Sequence, residues 1–178
     1  QNMPSSQEWV SPLKQGLSGT AVTILRHLQP AAPPPVRFEP LPFDGAIGEI
    51  PLFLGSRNGL MYFDGSDLWR VFRGRVYGIT RYDERWYVTW NSQVRVREKP
   101  LGQRGSIVSF RFEEGRLEDV RVEICPLDPE LHQIDAWDEH LYVTDTAHNR
   151  ILAFRIVESG LSHVASHYPN GRLADGKE

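Results

Sequence analysis

Short apolar runs, divided by polar clusters of the turn type, recur along this chain from about residue 38 onwards. The pattern is clearest at 132–155, whose apolar runs lie at 134–137, 141–143 and 151–154. Runs this short, rich in Ile, Val, Tyr and Phe, are too short for helices and are typical of consecutive antiparallel strands. The pattern therefore predicts a β-meander.

The meander is repeated along the chain. Residues 79–89 lie over 134–144 at an offset of 55, with the leading Ile, the Asp-Glu pair and Tyr-Val-Thr identical, and residues 107–111 lie over 151–155 at an offset of 44. The earlier copy therefore carries a longer loop, within 93–105, between its second and third strands. A fainter copy lies upstream. Four strands in roughly 45 to 55 residues are the signature of propeller blades.

Apolar residues occupy equivalent places in the two better copies, and we expect most of them to be buried between sheets. They are Ile79, Tyr87, Val88, Ile107, Phe110, Ile134, Tyr142, Val143, Ile151 and Phe154. Truncation of Phe110 or Phe154 to Ala is expected to cost about 3 to 5 kcal/mol.

The segment 141–151, LYVTDTAHNRI, resembles the core of an NHL-type repeat, in which a strand ending in Asp is followed by a short turn, Asn-Arg and an apolar strand. The NHL family forms six-bladed propellers. The copy at 86–112 has Trp90 where Asp145 stands and lacks Asn-Arg, so it is similar to the broader six-bladed superfamily only. The polar turn residues Asp145, Thr146 and Asn149 are expected to have a structural role, bonding nearby backbone amides.

The fold predicted is all-β, with about three propeller-like blades of four antiparallel strands at 37–75, 76–125 and 131–168. Residues 1–36 form an N-terminal arm with a proline-rich linker, and 169–178 form a C-terminal tail that resembles a loop leading into another blade. Propellers have four to eight blades. The chain is therefore expected to be half or a fragment of a six-bladed propeller, completed by a longer chain or by a second copy. An open twisted sheet or a sandwich is the alternative architecture.

The composition of the chain bears on the cellular location of the protein. The chain has 178 residues, 40% of them hydrophobic, and it contains no apolar run near the roughly 18 residues that a membrane span needs. Cys125 is the sole cysteine, which excludes an internal disulfide, and the N-terminus shows no signal-peptide pattern. A cytoplasmic location is expected, with no membrane partner.

Basic and acidic residues fall into separate blocks. Residues 70–104 hold nine Arg or Lys against three acids, and 113–145 hold eleven acids against two Arg. The basic block contains Trp90 and, around its long loop, Arg97 and Arg104, and we predict these three as ligand contacts. Basic residues beside aromatic ones also occur in sites for single-stranded nucleic acid. Because arginine is ordinary on exposed blade faces, nucleic acid is not the expected partner.

His132 begins the first strand of the last copy, and the first strand of a propeller blade lines the channel. The resemblance implies a possible Ca²⁺ or Zn²⁺ there, since some six-bladed enzymes place one metal ligand per blade around the channel. The matching residue of the preceding copy is Tyr77 or Gly78, neither of which supplies a metal ligand. A metal role for His132 therefore depends on further blades. We predict His132 and Tyr77 as ligand-binding residues, with a hydrogen-bonded channel histidine as the alternative.

Two classes of function stay open, because the sequence contains no recognisable catalytic motif. The first is a noncatalytic binding scaffold for a protein or a small-molecule ligand. The second is a metal-dependent hydrolase or lyase of the lactonase type, which rests on the resemblance alone. Three blades also leave two apolar faces uncovered, so self-association through these open faces is expected unless further blades cover them.

Overall fold

The structure is a computed structural model, and it describes residues 32–43, 45, 50–92, 104–128 and 130–169. Its regular elements in these ranges are all β-strands, and none of the described residues forms a helix that is able to cross a membrane. The strands are β1 (Glu39–Leu41), β2 (Leu52–Ser56), β3 (Gly59–Phe63), β4 (Leu68–Phe72), β5 (Arg75–Tyr82), β6 (Arg85–Ser92), β7 (Arg104–Glu113), β8 (Arg116–Leu127), β9 (Leu131–Trp137), β10 (His140–Asp145), β11 (Arg150–Val157) and β12 (Gly160–His167).

The strands form three four-stranded antiparallel sheets, which we call blades 1, 2 and 3. Blade 1 has the strand order β1-β4-β3-β2, blade 2 the order β5-β6-β7-β8, and blade 3 the order β9-β10-β11-β12. The predicted all-β class with propeller-like blades is therefore confirmed. The division of the chain at residues 36 and 168 and the number of blades in a complete ring stay predictions.

Blade 1 differs from the other two in the source of its outer strand. Its fourth strand is β1, which precedes the other three strands in sequence and pairs with β4. Pro40 is tolerated there because β1 is an edge strand. The carboxylate of Glu39 holds β1 in place, since it accepts hydrogen bonds from Arg70 and Arg73, and these two guanidinium groups lower the pKa of Glu39.

The first long strands of consecutive blades, β2, β5 and β9, lie in direct contact. A Cβ atom on Gly55 would lie 2.7 Å from the carbonyl oxygen of Val76, and a Cβ atom on Gly78 would lie 2.4 Å from that of His132. Only glycine permits so close an approach of two backbones. The two glycines therefore allow each inner strand to pack against the next.

Each blade has two faces. We call the face of blades 1 and 2 that is turned toward the following blade, and the equivalent face of blade 3, the forward face. The opposite face is the backward face. Buried and half-buried residues alternate along β10, as expected where one face is covered and the other is not. One core lies between blades 1 and 2, formed by Leu60, Val71, Phe72, Val76, Val88, Trp90, Val108 and Phe110. A second lies between blades 2 and 3, formed by Tyr87, Ile107, Leu131, Ile134, Leu141, Val143, Leu152 and Phe154.

Most of the apolar positions predicted from the repeat are buried, while Ile79, Tyr142 and Ile151 are only half-buried. Tyr142 and Ile151 lie on the forward face of blade 3, which no described residue of another blade covers. The alignment therefore identified the right positions. The partial burial of Tyr142 and Ile151 follows from their place on a face without a described neighbouring blade, whereas Ile79 packs beside the core between blades 1 and 2.

Candidate functional site

A cavity of about 740 Å³ opens between the forward face of blade 2 and the β11–β12 turn of blade 3. Its size falls within the roughly 300 to 1,000 Å³ typical of ligand pockets. We call it the charged groove. It is lined by Tyr82, Asp83, Glu84, Arg85, Tyr87, Arg111, Asp119, Arg121, Glu123, Ile156, Val157, Glu158 and Gly160.

A β-bulge in β8 directs Asp119 into the charged groove. Ser109 pairs with Arg121 and Arg111 pairs with Glu118, so β8 has one more residue than β7 in this interval. Asp119 has a φ of 51°, in the left-handed region that Asp tolerates better than most residues. Bulges re-aim side chains and are common beside functional sites.

Asp119 binds two arginines at once. Arg121 donates a hydrogen bond from Nε to Oδ1 at 2.7 Å, and its Nη2 atom lies 2.6 Å from Oδ2 in the same ion pair. Arg85 pairs with the same carboxylate and also donates to Ser109 Oγ at 2.7 Å. The hydrogen bond from Arg121, followed by the charge of Arg85, lowers the pKa of Asp119. The groove floor is therefore an ordered charge network.

Ser109 and Tyr87 lie deeper in the same wall. Ser109 Oγ donates a hydrogen bond to the carboxylate of Glu123. Burial, together with the nearby charge of Glu123, raises the pKa of Tyr87 to about 12. Ser109 therefore has a carboxylate and a guanidinium as neighbours, while the described residues place no histidine in the groove wall to act as its general base.

The accessible charges in the groove have both signs. The side chains of Arg111 and Arg121 are 44% and 48% exposed, whereas Arg85 is 17% exposed. Three exposed acids, Asp83, Glu84 and Glu158, line the groove as well. A ligand in this groove would meet two guanidinium groups and a set of carboxylates.

A second polar cluster lies at the β10–β11 turn. The carboxylate of Asp145 is fully buried, accepts a hydrogen bond from Arg150 Nε at 2.7 Å and lies 3.1 Å from His148 Nδ1. Asp128, Asp145 and His148 each place a potential metal-ligand atom within 4.8 Å of the others. The charge of Asp145 is already balanced by Arg150. Thr146 tethers the turn, donating from its amide and hydroxyl to the carbonyl of Glu130.

His132 and Tyr77, both predicted as ligand-binding residues, are brought together. Their rings stack with centroids 4.9 Å apart and planes at 18°. The closest described carboxylate to His132 is Glu130, with its Oε2 atom 3.8 Å from Nε2. One histidine and one carboxylate are fewer than the three or more protein ligands of a typical Zn²⁺ or Ca²⁺ site. We assign no metal there, and the metal role of His132 stays a prediction.

Of the other three predicted contacts, the structure describes the side chain of Trp90 only. Trp90 is 8% exposed, and its indole nitrogen donates to the carbonyl oxygen of Arg73 at 2.9 Å. Arg97 lies outside the described residues. Arg104 lies in β7 opposite Ser92, and its side chain is outside the described part. Their role as ligand contacts stays a prediction.

Sequence reasoning missed the charged groove, although one signal for it was present. The apolar residues of β8 fall at Leu117, Val120 and Val122, so the first step is three residues instead of the two expected of a strand. This irregularity marks the bulge at Asp119 and could have directed attention to Arg121. The approach of the β11–β12 turn is a tertiary feature that periodicity does not reveal.

No protein-family model matches this chain, and no curated protein matches it either. The NHL-type identity of its repeats therefore stays a prediction, supported by the blade-like sheets.

Proposed function

We propose that this chain is a noncatalytic binding scaffold of the propeller type, and that its ligand lies in the charged groove. The ligand class that fits is a short peptide, or a small molecule, with a carboxylate or phosphate group next to a basic group. The observation that carries the proposal is the pair of half-exposed guanidinium groups, Arg111 and Arg121, in a cavity of about 740 Å³.

Arg121 keeps donors available for an anion. It donates one recorded hydrogen bond to Asp119, and a guanidinium has five N–H groups. Arg111 forms a longer ion pair with the exposed Glu113, with its Nε 3.5 Å from Oε1. The contact with Asp119 already restrains Arg121. Ordering of the Arg121 side chain on binding therefore costs less conformational entropy than it would for an unrestrained side chain. Planar guanidinium groups bind carboxylate and phosphate through paired hydrogen bonds, which gives orientation as well as affinity.

The acids of the groove select against a purely anionic ligand. Asp83, Glu84 and Glu158 would repel a second negative charge and attract a basic group. A ligand of both signs therefore matches the lining better than a uniformly acidic or uniformly basic one.

Calorimetric titration with three short peptides tests the proposal: one with alternating Glu and Lys, one of Glu only and one of Lys only. We expect the mixed peptide to bind most tightly and Arg121→Gln to weaken it by roughly 10-fold or more, since hydrogen bonds to charged groups contribute about 1.5 to 3 kcal/mol. Arg116→Gln, at the exposed first residue of β8 and outside the groove, is the matched control. Equal affinity of the Arg121 and Arg116 variants would contradict the proposal.

The hydrolase or lyase alternative is favoured by one observation, the proximity of Asp128, Asp145 and His148. A divalent ion there would compete with Arg150 for the buried carboxylate of Asp145. Titration with Ca²⁺ and with Zn²⁺ tests it, and binding that disappears in His148→Ala would favour this second function. A cytoplasmic location and self-association through open blade faces stay predictions.

A further inference from the structure

A smaller cavity, of about 340 Å³, opens on the side of blade 2 that is turned toward blade 1. We call it the aromatic pocket. It is lined by Arg81, Glu84, Trp86, Phe112 and Glu113. Its size lies at the lower end of the roughly 300 to 1,000 Å³ typical of ligand pockets. The charged groove borders the opposite face of the same blade, so the two cavities are distinct.

Strand pairing places the two rings of the aromatic pocket side by side. Trp86 pairs with Phe110, and alternation puts Phe112 on the same face as Phe110. The ring of Phe53 in blade 1 lies edge-on against both, with its centroid 5.0 Å from that of Trp86 and 5.0 Å from that of Phe112. Trp86 and Phe112 are nevertheless only half-buried. Both rings are therefore held by packing on one side, while part of each stays accessible.

A cation of the chain itself already lies on one of these rings. Arg81 pairs with Trp86 across β5 and β6, and its guanidinium carbon lies 5.7 Å from the centroid of the Trp86 ring. A cation within about 6 Å of an indole face is attracted by its π-system. Arg81 is exposed, and its Nε donates a hydrogen bond to the carbonyl of Asp83 at 2.7 Å. Exposed contacts of this kind hold a side chain weakly, so another cation can displace Arg81.

Two exposed carboxylates, those of Glu84 and Glu113, complete the lining of the aromatic pocket. Carboxylates bind the planar guanidinium group through paired hydrogen bonds. A guanidinium is also more weakly hydrated than an ammonium, and its flat shape allows it to stack on an aromatic ring. The lining therefore favours an arginine side chain over a lysine side chain.

We propose that the aromatic pocket binds the guanidinium of an arginine side chain in a peptide ligand, and that Arg81 occupies this place in the free chain. The incoming group displaces Arg81, stacks on Trp86 and pairs with the two carboxylates. This inference deepens the proposed function, on which it rests for the choice of a peptide. Glu84 lines both cavities, and Arg111 of the charged groove pairs with Glu113 of the aromatic pocket. A peptide that crosses this edge of blade 2 can therefore place an acidic group in the groove and an arginine in the pocket.

Nuclear magnetic resonance titration of the whole, nitrogen-15-labelled chain tests the inference with three probes: N-acetyl-arginine amide, N-acetyl-lysine amide and tetramethylammonium. None of them carries a carboxylate, so they report on the aromatic pocket without an anion in the charged groove. The indole N–H signal of Trp86 is identified by its absence in Trp86→Phe. We expect the arginine probe to shift this signal saturably and to bind about 3-fold or more tightly than the lysine probe. An unchanged Trp86 signal with the arginine probe, or equal or tighter binding of either other cation, would overturn the inference.

Four variants locate the binding of the arginine probe. Arg81→Ala removes the internal competitor and should tighten binding by about 2- to 5-fold, whereas Glu84→Gln and Glu113→Gln should each weaken it by about the same factor. Glu114→Gln, exposed on the β7–β8 turn and outside the aromatic pocket, makes the same change of charge and is the matched control. The spectrum of each variant shows whether it is folded. The inference is wrong if Arg81→Ala binds no more tightly than the wild type, or if Glu114→Gln weakens binding as much as the two lining variants.

Arg121→Gln separates this inference from the proposed function. Because the arginine probe has no acidic group, its binding should be unchanged in this variant. A peptide of alternating Glu and Arg should bind about 3-fold more tightly than one of alternating Glu and Lys, and Arg121→Gln should weaken both. If the Trp86 signal responds to the arginine probe while Arg121→Gln weakens neither peptide, the aromatic pocket stands and the charged groove fails. A Trp86 signal that stays unchanged while Arg121→Gln weakens both peptides rejects the aromatic pocket alone.

Discussion

The forward faces of blades 2 and 3 have nearly the same residues at equivalent positions but different surroundings. Tyr87, Thr89 and Ile107 are buried because blade 3 covers them. Their counterparts on blade 3 are half-buried, although the hydrogen bond within the sheet, from an inner-strand amide to a Thr hydroxyl, is the same in both. Local structure is therefore set within each blade, whereas burial is set by the neighbour.

The outer parts of the two faces differ more than the inner parts. Blade 2 has Ser109 and the Asp119 network where the β11–β12 turn leaves the charged groove open. Blade 3 has Ala153 in the place of Ser109. Of these two forward faces, only that of blade 2 borders a polar groove among the described residues. We therefore place the ligand there.

The largest expected loss of stability follows truncation of a side chain in either of the two cores. Phe110, between blades 1 and 2, and Phe154, between blades 2 and 3, are 0% and 2% exposed. Replacement of either by Ala should lower the free energy of unfolding by about 3 to 5 kcal/mol, through lost transfer energy and a residual cavity. Urea denaturation measures this loss. Losses below about 1 kcal/mol at both sites would contradict the assignment of the cores.

A sharper comparison uses Ile107 and Ile151, the same residue at equivalent positions of a covered and an open face. Ile107→Ala should cost about 2 to 5 kcal/mol, the usual range for a fully buried Ile. Ile151→Ala should cost roughly 1 kcal/mol in dilute solution, because less apolar area is withdrawn from water there. Equal losses in urea denaturation of the monomer would show that both faces are covered alike.

Alternation, turn residues and the repeat were enough to predict the sheets, because each strand pairs with its neighbours in sequence. The exception is β1, since its three residues include a proline and its partner β4 lies far along the chain. Short edge strands of this kind give no periodic signal. The contact between inner strands is also visible in sequence only as two isolated glycines, Gly55 and Gly78.

The candidate site was less predictable than the fold. His132 and Tyr77 were placed near one another by the alignment, and the structure stacks their rings. The turn residue Asp145 was expected to bond backbone amides, but its partners are the side chains of Arg150 and His148. Which charged groups meet across a bulge or a turn depends on tertiary packing, so periodicity could not identify Asp119 and Arg121 as partners.

The covered face should also differ from the open one in alkaline solution. Burial raises the pKa of Tyr87 to about 12, whereas an unfolded Tyr ionises near pH 10. The stabilisation that the protonated Tyr87 hydroxyl gives to the folded state is therefore complete below about pH 10. It is lost as the pH rises toward 12, because Tyr87 of the unfolded chain releases its proton first. At about 1.4 kcal/mol per pH unit, the loss approaches roughly 2 to 3 kcal/mol.

Urea denaturation between pH 9 and 12 isolates this contribution when the wild type is compared with Tyr87→Phe. The variant should lose less stability over this range than the wild type, while Tyr142→Phe should follow the wild type. Parallel curves for all three proteins would show that the Tyr87 hydroxyl is not shielded from water by blade 3.

The smallest expected effect concerns the two threonines, and it bears most directly on the comparison of the faces. Thr89→Val should cost about 1 to 2 kcal/mol, because it leaves the buried amide of Gly78 and the carbonyl of His132 without the hydroxyl that joins them. Thr144→Val should cost less in dilute solution, since water can bond the exposed amide of Gln133. Thermal unfolding of both variants in dilute solution measures this difference. Equal losses of stability would show that the two hydroxyl groups contribute alike, although only that of Thr89 joins two blades.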